Sequence, residues 1–266
     1  MKRAKARELE KREKHDKPGA PIGICSYKYP LVYISVPKSA CTTIKNLLYV
    51  IDNGVAYHSP ITIHGDKTAL LLPSHPDKGL FLSAFQKRKI AFSFVREPFA
   101  RAYSSFNEKI YAEVRNSFPR ARKCLVDKYG ADFSTTEAYT AERHGANFLK
   151  FLNFVQDSVA GKAPLRLNPH WAPQHILLMR PRRKLNLDFV GKVENFEAGM
   201  RFVLDMAGVD APVDLSVRHN EGPKAPFPLG EILNEEIYQK LSSVYGEDVE
   251  YFGYHAQSAK WARQSA

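Results

Sequence analysis

The chain has 266 residues, with 39 Lys or Arg against 28 Asp or Glu, and 44% of its residues are hydrophobic. This composition is typical of a globular protein, and it excludes wholesale disorder, collagen and low-complexity classes. No stretch approaches the roughly 18 consecutive apolar residues of a membrane-spanning helix, and residues 1–20 contain no apolar run of the kind that a secretory signal needs. The 3 cysteines form no CxxC pair and lack zinc-finger spacing, so we expect no disulfide framework, no metal site and a cytoplasmic location.

The formal net charge of the chain is +11, which favours anionic partners through long-range attraction. Nucleotides, acidic polysaccharides, nucleic acid and anionic lipid all meet this condition, so the charge selects a class of partner and not a member. Residues 1–22 are rich in Lys and Arg, and we expect a flexible basic segment there. Residues 23–266 are expected to form one folded domain.

A short run of β-branched and aromatic residues, 31–36, predicts a buried parallel strand. A loop over residues 37–43 follows it. After the loop, apolar residues with three- and four-residue spacing predict a helix: Ile44, Leu47, Leu48 and Ile51. The order is therefore strand, tight loop, helix.

The same order recurs at residues 90–95, where a second strand leads through Arg96 and Pro98 into an amphipathic helix. Between the two units, several Pro and Gly residues predict loops around short elements, including a strand at Ile61–His64. Further elements are expected as a helix at 134–159 capped by Ser134, a strand at 185–190, and helices at 196–207 and 232–244. Alternating strands and helices predict an α/β fold with a P-loop-type, mostly parallel sheet flanked by helices.

The first strand-to-helix loop has the properties of a phosphate-binding loop. Free N–H groups and the positive end of the helix dipole meet at such a place and attract an anion. Lys38 adds a cation, and Ala40 leaves room for a phosphate to approach the backbone. Hydroxyl groups come from Ser39, Thr42 and Thr43. The Walker A pattern GxxxxGK[ST] is absent, which disfavours hydrolysis of nucleoside triphosphates.

The second strand-to-helix turn offers Arg96, and Ser104 lies two helical turns further on. An arginine at the end of a strand suits bidentate binding of a phosphate. Two anion sites at the carboxyl ends of two parallel strands predict a ligand with two separated anionic groups in the crevice above the sheet.

Five segments carry a recognisable pattern: VPKSACTTIK (36–45), FVREPFARAYSSF (94–106), NPHWAPQ (168–174), DFVGKVENFEAG (188–199) and YGEDVEYFGY (245–254). In the same order, they resemble the carbohydrate sulfotransferases of the second sulfotransferase family, which includes the chondroitin 4-O- and HNK-1-type enzymes. The resemblance covers roughly residues 30–254. The first two segments taken together are its most specific part.

The resemblance implies a PAPS-dependent sulfotransferase fold and transfer of a sulfuryl group to a hydroxyl of a carbohydrate or glycoconjugate. It implies 3′-phosphoadenosine 5′-phosphosulfate (PAPS) as donor and 3′-phosphoadenosine 5′-phosphate (PAP) as product. The 5′-phosphosulfate would be held by Pro37, Lys38, Ser39, Ala40, Cys41, Thr42 and Thr43. Arg96 and Ser104 would hold the 3′-phosphate. Lys38 would contact the leaving oxygen, and with Arg96 and helix N-termini as positive charge no metal is expected.

The acceptor hydroxyl also needs a base, and the 9 histidines of the chain compete for this role, with His64 and His170 ahead of the other residues. His64 leads because the resemblance places a base between the two donor motifs, at the end of a strand. His170 is the rival, since it stands beside Trp171 in the segment NPHW and could bind sugar or take the proton. A polar segment with Arg218 and His219 could close over the donor.

Well-known members of the family are Golgi enzymes with a membrane anchor and cysteines near the HW motif. In this sequence Leu178 and Met179 stand where those cysteines would fall. These departures favour a cytoplasmic, bacterial-like member. We expect no nucleic acid partner, and peripheral membrane contact and oligomeric state stay open. Two other functional classes remain: a P-loop-like nucleotide kinase, and a non-catalytic polyanion-binding protein that uses the basic run 180–184.

Overall fold

The computed structural model of the protein describes residues 23–114, 117–134, 138–178, 186–219 and 223–265. The predicted basic segment, residues 1–22, lies outside these ranges. Met179 and the basic run 180–184 lie outside them as well.

A four-stranded sheet forms the centre of one part of the fold. Its strands are β1 (Gly23–Cys25), β2 (Leu31–Ile34), β3 (Ile90–Val95) and β4 (Phe189–Lys192), in the spatial order β1-β2-β3-β4. β2 pairs with β3 and β3 with β4 in parallel, whereas β1 is antiparallel to β2. Every residue of β2 and β3 is buried, as expected for parallel strands covered on both faces. The α/β class predicted from the sequence is confirmed; the antiparallel strand β1 was not predicted.

Helices make up most of the remaining described chain. The α-helices are α1 (Cys41–Asn53), α2 (Lys78–Lys87), α3 (Pro98–Phe106), α4 (Pro119–Tyr129), α5 (Ala141–Val159), α6 (Gln174–Leu178), α7 (Phe196–Met206), α8 (Leu229–Ile232), α9 (Glu235–Phe252) and α10 (His255–Ser265). Single 3₁₀ turns lie at Thr62–His64 and Val193–Asn195, and a π-helical turn at Asn107–Tyr111 continues α3.

The described residues divide into two compact units. The sheet unit comprises residues 23–96, 178 and 186–219. The helical unit comprises residues 97–114, 117–134, 138–177 and 223–265. This division states which residues pack together and not whether either unit folds alone, so the single domain over residues 23–266 stays a prediction.

The core of the sheet unit joins the strands to α1 and α7. The predicted apolar face of α1 is buried, as are the inward residues of β2 and β3 and the apolar stripe of α7. Phe94 lies at the centre of this core, with its ring centroid 5.2 Å from that of Phe196 and 6.1 Å from that of Phe189. Burying each such large apolar side chain stabilises the fold by roughly 1.5–3 kcal/mol.

The core of the helical unit is aromatic. Phe106 contacts Phe148 and Phe151, with ring centroids 5.3 and 5.5 Å apart, and Phe151 lies 5.7 Å from Trp171. These four residues are buried, and the tilted and edge-on ring arrangements are the favourable ones for aromatic pairs. The segment that contains Trp171 is thereby fixed to α3 and α5.

The predicted strand at Ile61–His64 is wrong, because residues 62–64 form a 3₁₀ turn. The N–H of Thr62 donates to the carbonyl of Ser59, and that of Gly65 donates to the carbonyl of Thr62. These local bonds satisfy the backbone without a neighbouring strand.

Two predicted helices have different bounds. α5 begins later than residue 134, because the hydroxyl of Thr140 accepts from the N–H of Arg143 and caps the helix there. α9 continues through Gly246 and ends at Gly253, which has φ +63°. Its buried face continues beyond Gly246, and this packing outweighs the cost of one helical glycine, about 1 kcal/mol.

The predicted strand at 185–190 is observed as β4, shifted toward the C-terminus. Asp188 fixes the register of β4 against β3. Its N–H donates to the carbonyl of Ala91, while its carboxylate accepts from the N–H of Ala91. The helix α4 follows from no pattern that the sequence analysis identified.

Candidate active site

The loop before α1 has an unusual backbone. Lys38 and Ala40 lie in the left-handed region, with φ of 69° and 56°, although neither is glycine. Such conformations cost of order 1 kcal/mol or more each and concentrate at ligand-binding turns. The loop therefore holds its shape at an energetic cost that the surrounding structure offsets.

The N-terminus of α1 is open toward an anion. Ala40, at the N-cap, supplies no side-chain hydrogen bond, and the first turn of α1 contains no acidic residue. The first N–H groups of any helix lack intrahelical acceptors, and they carry the positive end of the dipole. The loop and α1 thus have the features of a phosphate site.

The hydroxyl residues of this loop are held firmly. Ser39, Thr42 and Thr43 are buried, whereas Lys38 is half-buried. The hydroxyl oxygen of Thr43 accepts from the N–H of His219 at 3.0 Å, so the polar segment around His219 lies against the first turn of α1.

Arg218, next to His219, is anchored within the sheet unit. Its guanidinium donates to the carbonyl of Leu215 at 2.6 Å, lies 3.3 Å from a carboxylate oxygen of Glu197, and stacks 4.8 Å above the ring of Phe196. The segment predicted to close over the donor therefore lies beside the loop, in the part that the structure describes, which ends at His219.

His64 reaches the same helix from the 3₁₀ turn. Its Nε2 lies 2.8 Å from Oγ1 of Thr42, and its Nδ1 lies 2.7 Å from Nζ of Lys45. Thr42 and Lys45 stand three positions apart on α1, so both ring nitrogens contact the same face of this helix. The sequence analysis missed Lys45, because a lysine inside a helix gives no sign of burial.

Lys45 is only 7% exposed, and burial lowers the pKa of its ammonium group. Among the described residues, its hydrogen-bond partner is His64. Burying a cation beside an imidazole lowers the stability of the fold, because a charge is poorly solvated away from water and an imidazole compensates for it less than a carboxylate would.

Arg96 follows β3 directly and Lys38 follows β2 by a few residues. β2 and β3 are parallel neighbours, with Leu31 opposite Ile90, so both residues emerge at the carboxyl edge of the sheet. Parallel strands lie about 4.8 Å apart, so the two turns are close at their origin. The sheet unit thus carries both predicted cations at one edge.

The second helix N-terminus differs from the first. Glu97 caps α3, and its carboxylate accepts from the N–H groups of Phe99 at 3.1 Å and Ala100 at 2.6 Å. This carboxylate neutralises the dipole that the sequence analysis assigned to anion binding. Any anion at this turn would depend on side chains such as that of Arg96.

Ser104 and His170 belong to the helical unit. Ser104 is half-buried on α3. His170 is held by an Asx-type turn, in which Oδ1 of Asn168 accepts from the backbone N–H of His170 at 3.0 Å and lies 2.9 Å from its Nδ1. Ser105 donates to the carbonyl of His170, and Arg101 donates to the carbonyls of Pro169 and Ala172.

A cleft of about 410 Å³ lies in the helical unit next to this turn. It is lined by Lys109, Ile110, Glu113, Ser117, Phe118, Pro119, Arg122, Lys123, Val126 and Asp127. The ring of Phe118 contacts that of His170, with 5.0 Å between their centroids. Lys123 is paired with Asp127 at 2.9 Å, so the lining is charged with both signs.

Two further observations concern the described residues only. Within these ranges, no group of three or more His, Cys, Asp or Glu side chains is placed to hold a metal ion. None of the helices there combines the length and the apolar character that crossing a membrane requires.

Residues 24–255 match the model of the sulfotransferase family, and this match covers most of the chain. Human carbohydrate sulfotransferase 9 is 30% identical over 194 residues, which are 71% of this chain and 41% of that protein. Mouse carbohydrate sulfotransferase 11 is 28% identical over 188 residues, 68% of this chain and 51% of that protein. Mouse carbohydrate sulfotransferase 12 is 26% identical over 249 residues, 85% of this chain and 58% of that protein.

The four-stranded, mostly parallel sheet flanked by helices defines an α/β class of protein. Within this class, the chain belongs to the sulfotransferase family. The chain spans about half the length of the relatives that it matches. No solved structure matches it significantly.

Proposed function

We propose that the protein is a PAPS-dependent O-sulfotransferase that transfers a sulfuryl group to a hydroxyl of a carbohydrate or glycoconjugate. The observation that carries this proposal is the uncapped N-terminus of α1 with Lys38 beside it, at the same sheet edge as Arg96. Relatives named carbohydrate sulfotransferases support the acceptor class.

The donor would bind at the two strand-to-helix turns that follow β2 and β3. Residues 37–43 would hold its 5′-phosphosulfate with backbone N–H groups, the hydroxyls of the loop and Lys38. Arg96 and Ser104 would hold its 3′-phosphate. Because Glu97 occupies the N-terminus of α3, recognition of the 3′-phosphate would rest on side chains, with the planar arginine supplying paired donors.

The reaction would be an in-line displacement at sulfur, in which the acceptor oxygen forms a new bond to sulfur while the bond to the bridging phosphate oxygen breaks. Negative charge grows on the leaving phosphate in this step. Lys38 and the N–H groups of α1 would stabilise that charge, and fixed donors of this kind are typically worth 10² to 10³ in rate.

The acceptor proton would go to a histidine, and two remain candidates. Oδ1 of Asn168 accepts from a backbone N–H, so it is an acceptor, and Nδ1 of His170 must donate to it. The neutral ring of His170 then carries its lone pair on Nε2, the arrangement that a general base needs. His64 has the support of lying within hydrogen-bond distance of Thr42 in the donor loop.

The cleft beside Phe118 is our candidate for part of the acceptor site. An aromatic ring suits the apolar face of a sugar, and Lys109, Arg122 and Lys123 suit an acidic one. We expect Lys123→Glu to raise the KM for an acidic acceptor at least threefold without changing PAP affinity. Lys128→Glu, on the same helix but outside the lining, is the matched control.

Calorimetry with PAP and AMP, together with transfer of labelled sulfate from PAPS to a panel of glycans, tests the function. A sulfotransferase should bind PAP far more tightly than AMP at physiological salt and label at least one glycan. ATP turnover without PAPS turnover would instead identify a nucleotide kinase. Equal affinity for PAP and AMP, without transfer, would identify a polyanion-binding protein. The cytoplasmic location stays a prediction.

A further inference from the structure

Lys45, His64 and Thr42 form a chain of hydrogen-bonding groups whose direction is set by Lys45 in its protonated form. Nζ of Lys45 and Oγ1 of Thr42 lie 2.7 and 2.8 Å from the two nitrogens of the His64 ring. A protonated lysine has three hydrogen-bond donors and no acceptor. Nδ1 of His64 must then accept, and in a neutral imidazole the hydrogen must sit on Nε2.

His64 therefore donates to Thr42. Once Oγ1 of Thr42 accepts this bond, its own hydroxyl hydrogen is available to a different acceptor. Thr42 stands in the first turn of α1, whose N-cap residue supplies no side-chain hydrogen bond, so the N–H groups there are suited to an anion. Its hydroxyl would then join those groups as one more donor to the same anion.

We propose that Lys45 and His64 are positioning residues that act in series on Thr42, by holding its hydroxyl as a hydrogen-bond donor to the phosphate of the nucleotide donor. This inference rests on the proposed function for the identity of the nucleotide, but the direction of the chain does not depend on it. In this arrangement Nε2 of His64 carries the hydrogen and is not a proton acceptor.

Burial is the second observation that supports this role. Lys45 and Thr42 are almost fully buried, whereas the ring of His64 that joins them is exposed. A lysine placed only to stabilise the fold would gain more from a carboxylate partner than from an imidazole. The pairing with His64 instead fixes both the orientation and the tautomer of the ring.

The first test is nitrogen NMR of the free protein at a pH where His64 is neutral, with its signals assigned by comparison with His64→Phe. We expect the Nε2–H tautomer in the wild type and a mixture of tautomers in Lys45→Met. Lys67→Met removes a lysine from the same loop as His64 without touching the ring and should leave the tautomer unchanged. A wild-type ring with its hydrogen on Nδ1 would overturn the proposal, because Lys45 would then be the acceptor.

The second test is PAP affinity by calorimetry in single and double variants. Thr42→Val and His64→Phe should each weaken PAP binding by roughly tenfold, the effect of one hydrogen bond to a charged group, whereas Lys45→Met, which leaves a mixture of tautomers, should weaken it about twofold. In the Thr42→Val background, His64→Phe should add less than twofold, because both act through the same hydroxyl. Independent, additive losses would contradict a chain in series.

His64→Gln separates positioning from proton transfer. A glutamine amide has one acceptor and donor hydrogens, so it can replace the ring between Lys45 and Thr42, but it cannot act as a base. We expect His64→Gln to recover most of the PAP affinity and of the turnover that His64→Phe loses. Loss of turnover in His64→Gln with PAP affinity kept would assign the base to His64 and overturn the proposal.

The two proposals fail in different ways. If PAP does not bind to the wild-type protein, the proposed function fails, while the NMR experiment still decides the direction of the chain. If PAP binds and the tautomer is unaffected by Lys45→Met, the function stands and the positioning role of Lys45 fails.

Discussion

Lys38 and Arg96 emerge from neighbouring parallel strands at one edge of the sheet. This relationship is what a nucleotide with phosphate groups at both ends of its ribose requires, because each strand end then serves a different phosphate. The two turns are not equivalent, since α1 has an open N-terminus whereas α3 is capped by Glu97. The consequences can be measured separately.

Arg96→Ala should weaken PAP binding by roughly 50-fold and leave AMP binding within twofold, because only PAP carries the 3′-phosphate and hydrogen bonds to charged groups contribute about 1.5–3 kcal/mol. Calorimetry at fixed salt measures both affinities. Lys89→Ala removes an exposed charge just before β3 and is the control for general electrostatics. An equal loss for AMP and PAP in Arg96→Ala would place Arg96 elsewhere on the nucleotide.

Lys38→Gly should separate stability from activity. Glycine adopts φ near 69° without strain, so the variant is expected to unfold at a temperature no lower than the wild type. Its turnover should fall about 10²-fold or more, since the cation near the leaving oxygen is gone. Thermal unfolding and initial rates with saturating PAPS provide the comparison. A variant that is fully active would remove Lys38 from the reaction.

Gly191→Ala should destabilise the protein by about 2 kcal/mol, because a Cβ at this position would lie 2.4 Å from the ring of Phe94. Phe94→Leu in the same chain should recover part of the loss by making room. The free energy of unfolding in urea measures each variant. Gly246→Ala is the contrasting control: nothing lies within 4 Å of its added Cβ, and alanine favours the helix.

His144 should make the protein acid-sensitive. Burial among aromatic rings lowers its pKa from 6.5 to about 4, so between these values the unfolded chain binds a proton that the folded chain does not. The contribution of His144 to the free energy of unfolding is fully present above pH 6.5. It decreases as the pH drops toward 4, by about 3 kcal/mol in total.

The measurement is urea unfolding of the wild type and His144→Phe at pH 7.5 and 5.0. The difference between the two proteins isolates His144 from the other titrating groups, because both proteins share those groups. His255→Gln changes an exposed histidine and should show the wild-type dependence. The same loss of stability in wild type and His144→Phe between these pH values would show that His144 is not responsible.

The sequence predicted the α/β class, the strands before Lys38 and Arg96, and the helix after each. These succeeded because each depends on a local run of residues: four buried residues in β2, six in β3, and the apolar spacing of α1. The strand at Ile61–His64 failed because a short apolar run gives the same pattern in a 3₁₀ turn.

The finer features of the site could not be predicted because they depend on contacts distant in sequence. Glu97 lies in a strand-to-helix turn. Its carboxylate caps α3 through two backbone N–H groups, and this role becomes visible only when the backbone of α3 is in place. Likewise, the position of His64 against Thr42 and Lys45 joins segments 19 to 22 residues apart. A buried lysine gives no signal in one sequence.

The burial of Lys45 places the stability of the fold in conflict with the function of the protein. An ammonium group enclosed by protein and bonded to a neutral ring lowers the stability of the fold, so an apolar side chain of similar length, such as methionine, should make a sturdier molecule. Directed evolution for heat resistance alone would therefore discard this lysine, whereas selection for catalysis should restore it.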